Sequence, residues 1–458
     1  MPVARRPELG LAVVGLGSLL APLDTAVNIA LPSITQAFAL DVEDIRWVVI
    51  AYVLTYVSLM LACGRLGDVV GYRPVFQSGL LISALGFVTC AVAQSYPLLL
   101  AGRVLQGVGI AFTLSCGPAL ATSLFEEHRR TRALAFYAGI SAAGAALGPV
   151  IGGVLVARWG WATVFSFRLP LALLALALSG LIAVAPKTGT AHRFDVAGAA
   201  LLVAWMSALL LAVAILPGSF GLVVPGLLAG AALVGFVAFL RREADHPQSL
   251  IRLSLFRNLD FVIFNAASIA VNLAAFSVLI LVPYFLVRVA AFDLATGGVV
   301  LALGAGGGVI GAWCTGKLAN HAGVGWLAFG GIAVNVAGLA AISTWTAATP
   351  LAVVGLSQLV QGFGLGVFTV SYTDYVTHTL PIADRGVAGS LTMVTRTIGV
   401  VMGATTLTAA FAHFEAAARA AGAANAFLTG FQATFGWVAL ALALGLALSL
   451  LRPRTWQG

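Results

Sequence analysis

The chain has 458 residues, of which 60% are apolar and only 9% charged, with a formal net charge of +8. At a mean hydropathy of +1.03 it carries too little polar surface for a soluble globule, whereas a bilayer demands such a composition. The basic residues are scattered in pairs along the loops rather than gathered on one segment, which argues against a nucleic-acid partner and for membrane topology as their cause.

The N-terminus places Arg5 and Arg6 before an apolar run, as a signal peptide does, but no small-x-small cleavage site follows, so the run reads as an uncleaved first span. The apolar runs are continuous over roughly 20 residues, which suits helices and not the short alternating strands of a barrel. Breaking the chain at charge and proline clusters gives fourteen spans, near 9–31, 46–63, 75–95, 98–124, 131–157, 161–184, 195–216, 220–240, 259–287, 296–316, 323–345, 350–376, 386–411 and 427–450. No connector reaches about 25 residues, so no soluble domain hangs from the chain, and an enzyme is not expected. With the N-terminus cytoplasmic, most of the basic residues, from Arg5 and Arg6 to Arg452 and Arg454, fall inside, and only Arg46, Arg158, Arg288 and Arg419 fall outside. Both termini are therefore expected in the cytoplasm.

Asp24 is the acid placed deep in a span, in the first, where a carboxylate is costly unless it faces water, a partner or a substrate path. Burial disfavours the charged form of a carboxyl, which makes Asp24 the first candidate for proton coupling; its alternative role is hydrogen bonding for helix packing. After the second span comes GRLGDVVGYRPV at 64–75, echoed as GKLANHAG at 316–323, so that Gly64, Leu66, Asp68 and Gly71 recur as Gly316, Leu318, Asn320 and Gly323. The glycines permit a sharp turn. Asp68 suits the positive end of a neighbouring helix, with Arg73 beside it. One span later RVLQGVG at 103–109 recurs as QLVQGFG at 358–364. Two motifs recurring in order define two sets of six spans with a pair inserted between them: an N-terminal bundle over 1–190, the inserted pair with its connectors over 191–258, and a C-terminal bundle over 259–458.

Arg103 lies about five residues into the fourth span, close enough to reach the outer interface by snorkelling. Gly144, Gly148 and Gly152 of the fifth span form a four-residue ladder suited to close helix contact, interrupted by Pro149. Gly304 with Gly308, and Gly399 with Gly403, repeat the pattern. In the sixth span Arg168 precedes Leu169-Pro170; a guanidinium at this depth requires an acid, Asp24 among them, or an anionic group of a substrate. Asp374 falls near the cytoplasmic end of its span and reads as interfacial. Cys63, Cys90, Cys116 and Cys314 lie in or beside apolar runs with no paired spacing, and six dispersed histidines form no metal constellation. GGGVIG at 306–311 and GAWCTGK at 311–317 approximate nucleotide-binding motifs, but neither follows a strand and the second ends in Leu318 instead of a hydroxyl residue. Neither a metal nor an organic cofactor is expected; protons are the expected coupling ion.

These residues resemble the major facilitator superfamily, and within it the fourteen-span drug:proton antiporter branch. GRLGDVVGYRPV is similar to the signature loop between its second and third spans, RVLQGVG to the fourth-span motif with a buried arginine, and DTAVNIALPSI from Asp24 to the first-span motif. GAALGPVIGG at 144–153 matches the fifth-span antiporter pattern Gly-x-x-x-Gly-Pro-x-x-Gly-Gly, which includes Pro149 and Gly153. RFDVAG at 193–198 resembles the element opening the seventh span, and TRTIGVVMG at 395–403, with Arg396, the one crossing the span at 386–411. Two departures stand out: Val69 replaces a common basic residue, and Asp24 precedes Asn28 by four residues where five are usual, a difference of about 100° around a regular helix.

The resemblance implies an all-α integral membrane protein of the major facilitator fold, two six-helix bundles plus two inserted helices. It implies a monomer in the plasma membrane that exports small amphipathic or drug-like compounds by alternating access in exchange for protons. A proton-coupled uptake symporter is the same-fold alternative, and a non-transporting membrane scaffold or sensor is the alternative from another class, disfavoured by the membrane-buried ionisable residues. It assigns Asp24 and Arg103 to proton coupling, and Asp24, Asn28, Arg103, Arg168 and Arg396 to the substrate cavity. It makes a gate of Gly64, Asp68, Gly71 and Arg73 with the helix beginning near Arg385, together with Gly144, Gly148, Pro149, Gly152 and Gly153.

Overall fold

The computed structural model describes residues 7–182, 196–215, 223–244, 258–379 and 385–456, and every element among them is helical. Their order is α1 (Pro7–Ser18), α2 (Ala26–Ala37), α3 (Val42–Val70), α4 (Tyr72–Ala91), α5 (Tyr96–Ser123), α6 (Glu127–Trp159), α7 (Thr163–Ser166), α8 (Arg168–Leu178), α9 (Val196–Ile215), α10 (Val223–Ala244), α11 (Leu259–Tyr284), α12 (Leu294–Ala322), α13 (Val324–Ser343), α14 (Leu351–Thr379), α15 (Arg385–Ala420) and α16 (Ala426–Ser449). Eleven stretches among the described residues are long and apolar enough to cross a membrane. The three other expected spans coincide with α3, α9 and α10. The chain is an all-α membrane protein.

Two compact units divide the helices, one comprising essentially all of α1–α10 and the other α11–α16. In the first, the core is a continuous apolar cluster that includes Leu11, Val14, Leu20, Phe76, Leu80, Phe87, Ile110 and Leu120. Its helices approach closely through glycine: a methyl group at Gly86 of α4 would stand 2.6 Å from the Gln106 amide nitrogen of α5. The pair α9 and α10 is joined by Trp205, which lies 4.9 Å from Phe236 and fills the space above Gly235. On α10, Leu227, Leu233 and Val234 are exposed, as residues facing lipid tails are expected to be.

The second unit is built on the same plan. Gly304 and Gly308 of α12 meet the backbone at Gly362 and Gly366 of α14, and Gly399 and Gly403 of α15 meet the Ile269 and Leu273 carbonyls of α11. Trp345, Phe285 and Phe431 cluster with ring centroids 4.9–6.1 Å apart. Near the end of the chain the turn Pro453–Trp456 folds back. Trp456 is fully buried against Phe264 and Phe329, and Asp260 Oδ1 accepts from Thr455 Oγ1 at 2.6 Å and Arg452 Nε at 3.1 Å.

The internal echo has a structural counterpart. The helices α3, α4 and α5 are 29, 20 and 28 residues long, and α12, α13 and α14 are 29, 20 and 29. Gly71 (φ +111°) and Gly323 (φ +72°) occupy the corresponding junctions in backbone conformations that suit glycine. One expectation needs correction: Gly64 is not part of a turn. Helix α3 continues through it, its last bond running from the Gly71 amide to the Gly67 carbonyl at 2.9 Å, so a single glycine makes the reversal.

Candidate functional site

The first span, expected as one helix over 9–31, is broken. Pro22 has no amide hydrogen to continue the ladder, and the chain passes through a 3₁₀ turn, Pro22–Thr25, between α1 and α2. The Asp24 amide bonds the Ala21 carbonyl at 3.0 Å. Asp24 therefore projects from a turn, and the angular argument drawn from its spacing to Asn28 loses its premise, because that argument assumed a regular helix.

Helix α6 seats this turn. A methyl group at Gly144 would stand 2.6 Å from Leu19 Cδ1, one at Gly148 would overlap Thr25 Oγ1, and one at Gly152 would stand 2.7 Å from the Ala26 carbonyl oxygen. Thr25 Oγ1 shares its proton between the Pro22 carbonyl at 2.9 Å and the Ala145 carbonyl of α6 at 3.2 Å. Pro149 and Gly153 are buried in the same helix. The ladder thus packs within the first unit, on the segment that carries the acid.

Asp24 is held by three donors from two other elements. Arg103 of α5 grips it with two parallel bonds, Nη1 to Oδ1 at 2.7 Å and Nη2 to Oδ2 at 2.8 Å. Gln106, one turn further along α5, donates Nε2 to Oδ1 at 2.9 Å and accepts from Arg103 Nη1 at 2.8 Å. Arg168, the first residue of α8, donates Nη1 to Oδ1 at 2.6 Å. The Nε atoms of the arginines are satisfied by backbone: Arg103 by Val48 of α3 at 2.8 Å and Arg168 by Val164 of α7 at 3.1 Å. Aromatic rings enclose the guanidiniums, Arg103 over Tyr52 at 4.3 Å and Arg168 over Phe87 at 4.7 Å, with Phe165 within 5.8 Å of both. Such faces stabilise a cation in a poorly solvated place.

The arginine side chains are 0% exposed and that of Asp24 is 13% exposed, so the carboxylate is the accessible member. Two cations meet one anion, leaving the cluster one positive charge in excess. Removing one partner of a buried ion pair costs about 3–5 kcal/mol. The snorkelling alternative for Arg103 is overturned: its guanidinium turns inward because a carboxylate lies within reach.

The remaining expected residues are spread more widely. Asn28 lies half-buried in α2 and is not among the partners of Asp24; Arg396 is exposed on α15, in the second unit. Arg73 is partly buried at the start of α4. The side chains of Arg65, Asp68, Asn320 and Arg385 lie outside the described residues, and with them the expected gate contact of Asp68. Residues 193–195 of the RFDVAG element also lie outside them. Sequence reasoning missed Gln106, Tyr52, Phe87 and Phe165 as parts of the site. Gln106 had a signal, since it stands three residues after Arg103 on one helix face. Among the described residues no three His, Cys, Asp or Glu side chains stand together as a metal would require.

Comparison with known proteins matches residues 14–404 to the family described as Major Facilitator Superfamily. The chain is 30% identical over 409 residues to the tetracenomycin C resistance and export protein of Streptomyces glaucescens, covering 88% of this chain and 75% of that one. It is 26% identical over 408 residues to the riboflavin transporter RibZ of Clostridioides difficile (strain 630), covering 89% and 88%. The crystal structure of a bacterial homologue of the human lysosomal transporter Spinster superposes with a TM-score of 0.71 over 98% of each chain at 16% identity, a likeness of fold alone.

Proposed function

Because the chain belongs to the Major Facilitator Superfamily, and is thus a membrane transporter and not an enzyme, we propose that it exports small amphipathic compounds in exchange for protons, as a member of the fourteen-span antiporter branch. One observation carries the reading: Asp24, a partly accessible carboxylate in the first span, is clamped between the buried guanidiniums of Arg103 and Arg168. A proton arriving on Asp24 removes the charge both arginines grip. Its departure restores that charge, so the occupancy of one carboxyl group bears on the contacts among three elements, the Asp24 turn, α5 and α8. A proton moving inward down the membrane potential supplies about 2.3 kcal/mol per 100 mV, enough to concentrate a solute outside. The resistance and export protein among the relatives supports the outward direction, and the seating of the Asp24 turn on the α6 ladder supports a role for that helix in the cycle. The basic bias of the loops supports cytoplasmic termini in a plasma membrane. A monomer that alternates access to one cavity is the simplest arrangement.

The test is accumulation in everted membrane vesicles energised to an acidic interior, using a panel of fluorescent drug-like compounds. Proton-coupled export predicts accumulation of at least one compound that collapses when a protonophore dissipates both the pH gradient and the membrane potential. Accumulation indifferent to the protonophore contradicts proton coupling, and gradient-driven movement in the opposite sense would make the protein an uptake symporter.

A further inference from the structure

We propose that the buried cluster of the first unit receives an anionic group of the transported compound on Arg168 Nη2, which makes organic anions and zwitterions, rather than simple cations, the substrate class. The inference rests on the reading of the chain as a transporter whose substrate path meets Asp24, and it adds the charge of the cargo.

Charge and hydrogen bonding at the cluster point the same way. Among the described residues it contains two guanidiniums and one carboxylate; its other members, Gln106, Tyr52 and the phenylalanines, are neutral side chains. Every nitrogen of the Arg103 guanidinium is engaged, Nε with Val48, Nη1 with Asp24 and Gln106, and Nη2 with Asp24. Arg103 is therefore the clamp on Asp24. Arg168 spends Nε on Val164 and Nη1 on Asp24, and its Nη2 is buried with no hydrogen-bond partner among the described residues. An unsatisfied donor on a buried cation that shares its one counter-ion with a second guanidinium is costly. An oxyanion meets both deficits at once, because it accepts the bond and brings the summed charge to zero. The rings of Phe87, Phe165 and Phe167 lie 4.7–6.0 Å from the same guanidinium and give an amphipathic anion an apolar collar. A cation approaching this cluster would meet net repulsion in a medium that screens it poorly.

Three anthracene compounds that differ in one substituent, a carboxylate, a carboxamide or an aminomethyl group, serve as probes of the purified full-length protein, with energy transfer from tryptophan as the signal. The carboxylate is expected to bind at least about tenfold more tightly than the amide, with the cationic compound weakest. Arg168→Gln, which keeps a donor for Asp24, is expected to abolish the preference for carboxylate over amide, and Asp24→Asn, which leaves both guanidiniums unmatched, to increase it. Failure of the carboxylate to bind, equal or tighter binding of the cation, or an unchanged preference in Arg168→Gln overturns the proposal. So does displacement of the carboxylate by equimolar chloride, which would mark a site for inorganic anions only. If Arg168→Gln does not fold, the ranking by the unaltered protein decides. Proton coupling is read separately, from gradient-driven flux: losing that flux with the carboxylate preference intact would tell against exchange with protons and leave the anion site standing.

Discussion

The two units share a scaffold and differ in chemistry. In each, a long helix ends at a positive-φ glycine, a 20-residue helix follows, and a third helix packs against it through equivalent glycines: Gly86 over the backbone of Gln106 in one, Gly338 over that of Gln361 in the other. Where the first unit has Arg103 and Gln106, the second has Gln358 and Gln361. Beyond Asp260, α11 carries no acid, and α16 carries no charge at all. One buried polar cluster of the second unit is neutral: Tyr372 Oη donates to Asn265 Oδ1 at 2.8 Å and lies 2.9 Å from Thr395 Oγ1, which is 3.2 Å from Ser268 Oγ. Glycine spacing thus sets the architecture twice, while fully buried guanidiniums paired with a carboxylate occur, among the described residues, in the first unit; the Asp260–Arg452 and Glu415–Arg419 pairs of the second are partly exposed. A repeat in which one copy holds the buried ion cluster is compatible with the single proton-handling site proposed above.

Substitutions that exchange features between the units sharpen this contrast. Arg103→Gln gives the first unit the residue its counterpart carries and strips Asp24 of its two-bond partner. It is expected to destabilise by about 3–5 kcal/mol, read as a lower thermal unfolding temperature in detergent. In the second unit the comparable loss comes from an apolar contact: Trp456→Ala empties the site between Phe264 and Phe329 and is expected to cost about 3 kcal/mol by the same measurement. Gly152→Ala places a methyl group against the Ala26 carbonyl and strains the turn bearing Asp24, an expected 1–3 kcal/mol or about that. Gly139→Ala on the same helix, where a Cβ meets nothing within 4 Å, should be neutral or gain up to about 1 kcal/mol. Smallest is Gln358→Leu, which removes a buried amide whose Nε2 has no partner among the described residues; a change below about 1 kcal/mol is expected. Equal costs for Arg103→Gln and Gln358→Leu would contradict the asymmetry.

Hydrophobic runs fixed the spans because a bilayer needs long apolar helices, and the charges inside them stood out for the same reason. Asp24, Arg103 and Arg168 were legible one by one. A pairing of Arg168 with Asp24 was one of the alternatives the sequence left open, and the resemblance put all three in one cavity. That both arginines grip one carboxylate was not legible, since the pairs are separated by 79 and 144 positions and no periodicity reports contacts between helices. Proline chemistry explains the other surprise: Pro22 marks a break, but only the fold shows that the break turns Asp24 toward both arginines. Gly71 and Gly323 could be paired through their repeat, whereas Gly64 reads the same in a helix as in a turn. The neutral cluster around Tyr372 gave no signal, because Ser, Thr and Asn are ordinary residues in packed membrane helices.

The central claim is that one carboxyl group couples protons to cargo. Its most direct measurement is pH-gradient-driven flux in proteoliposomes of the full-length protein, with the compound best accumulated by everted vesicles as probe. Asp24→Asn should abolish the flux, while Asp374→Asn, half-buried in α14 of the second unit, should leave it intact. Undiminished gradient-driven flux in Asp24→Asn would contradict the account.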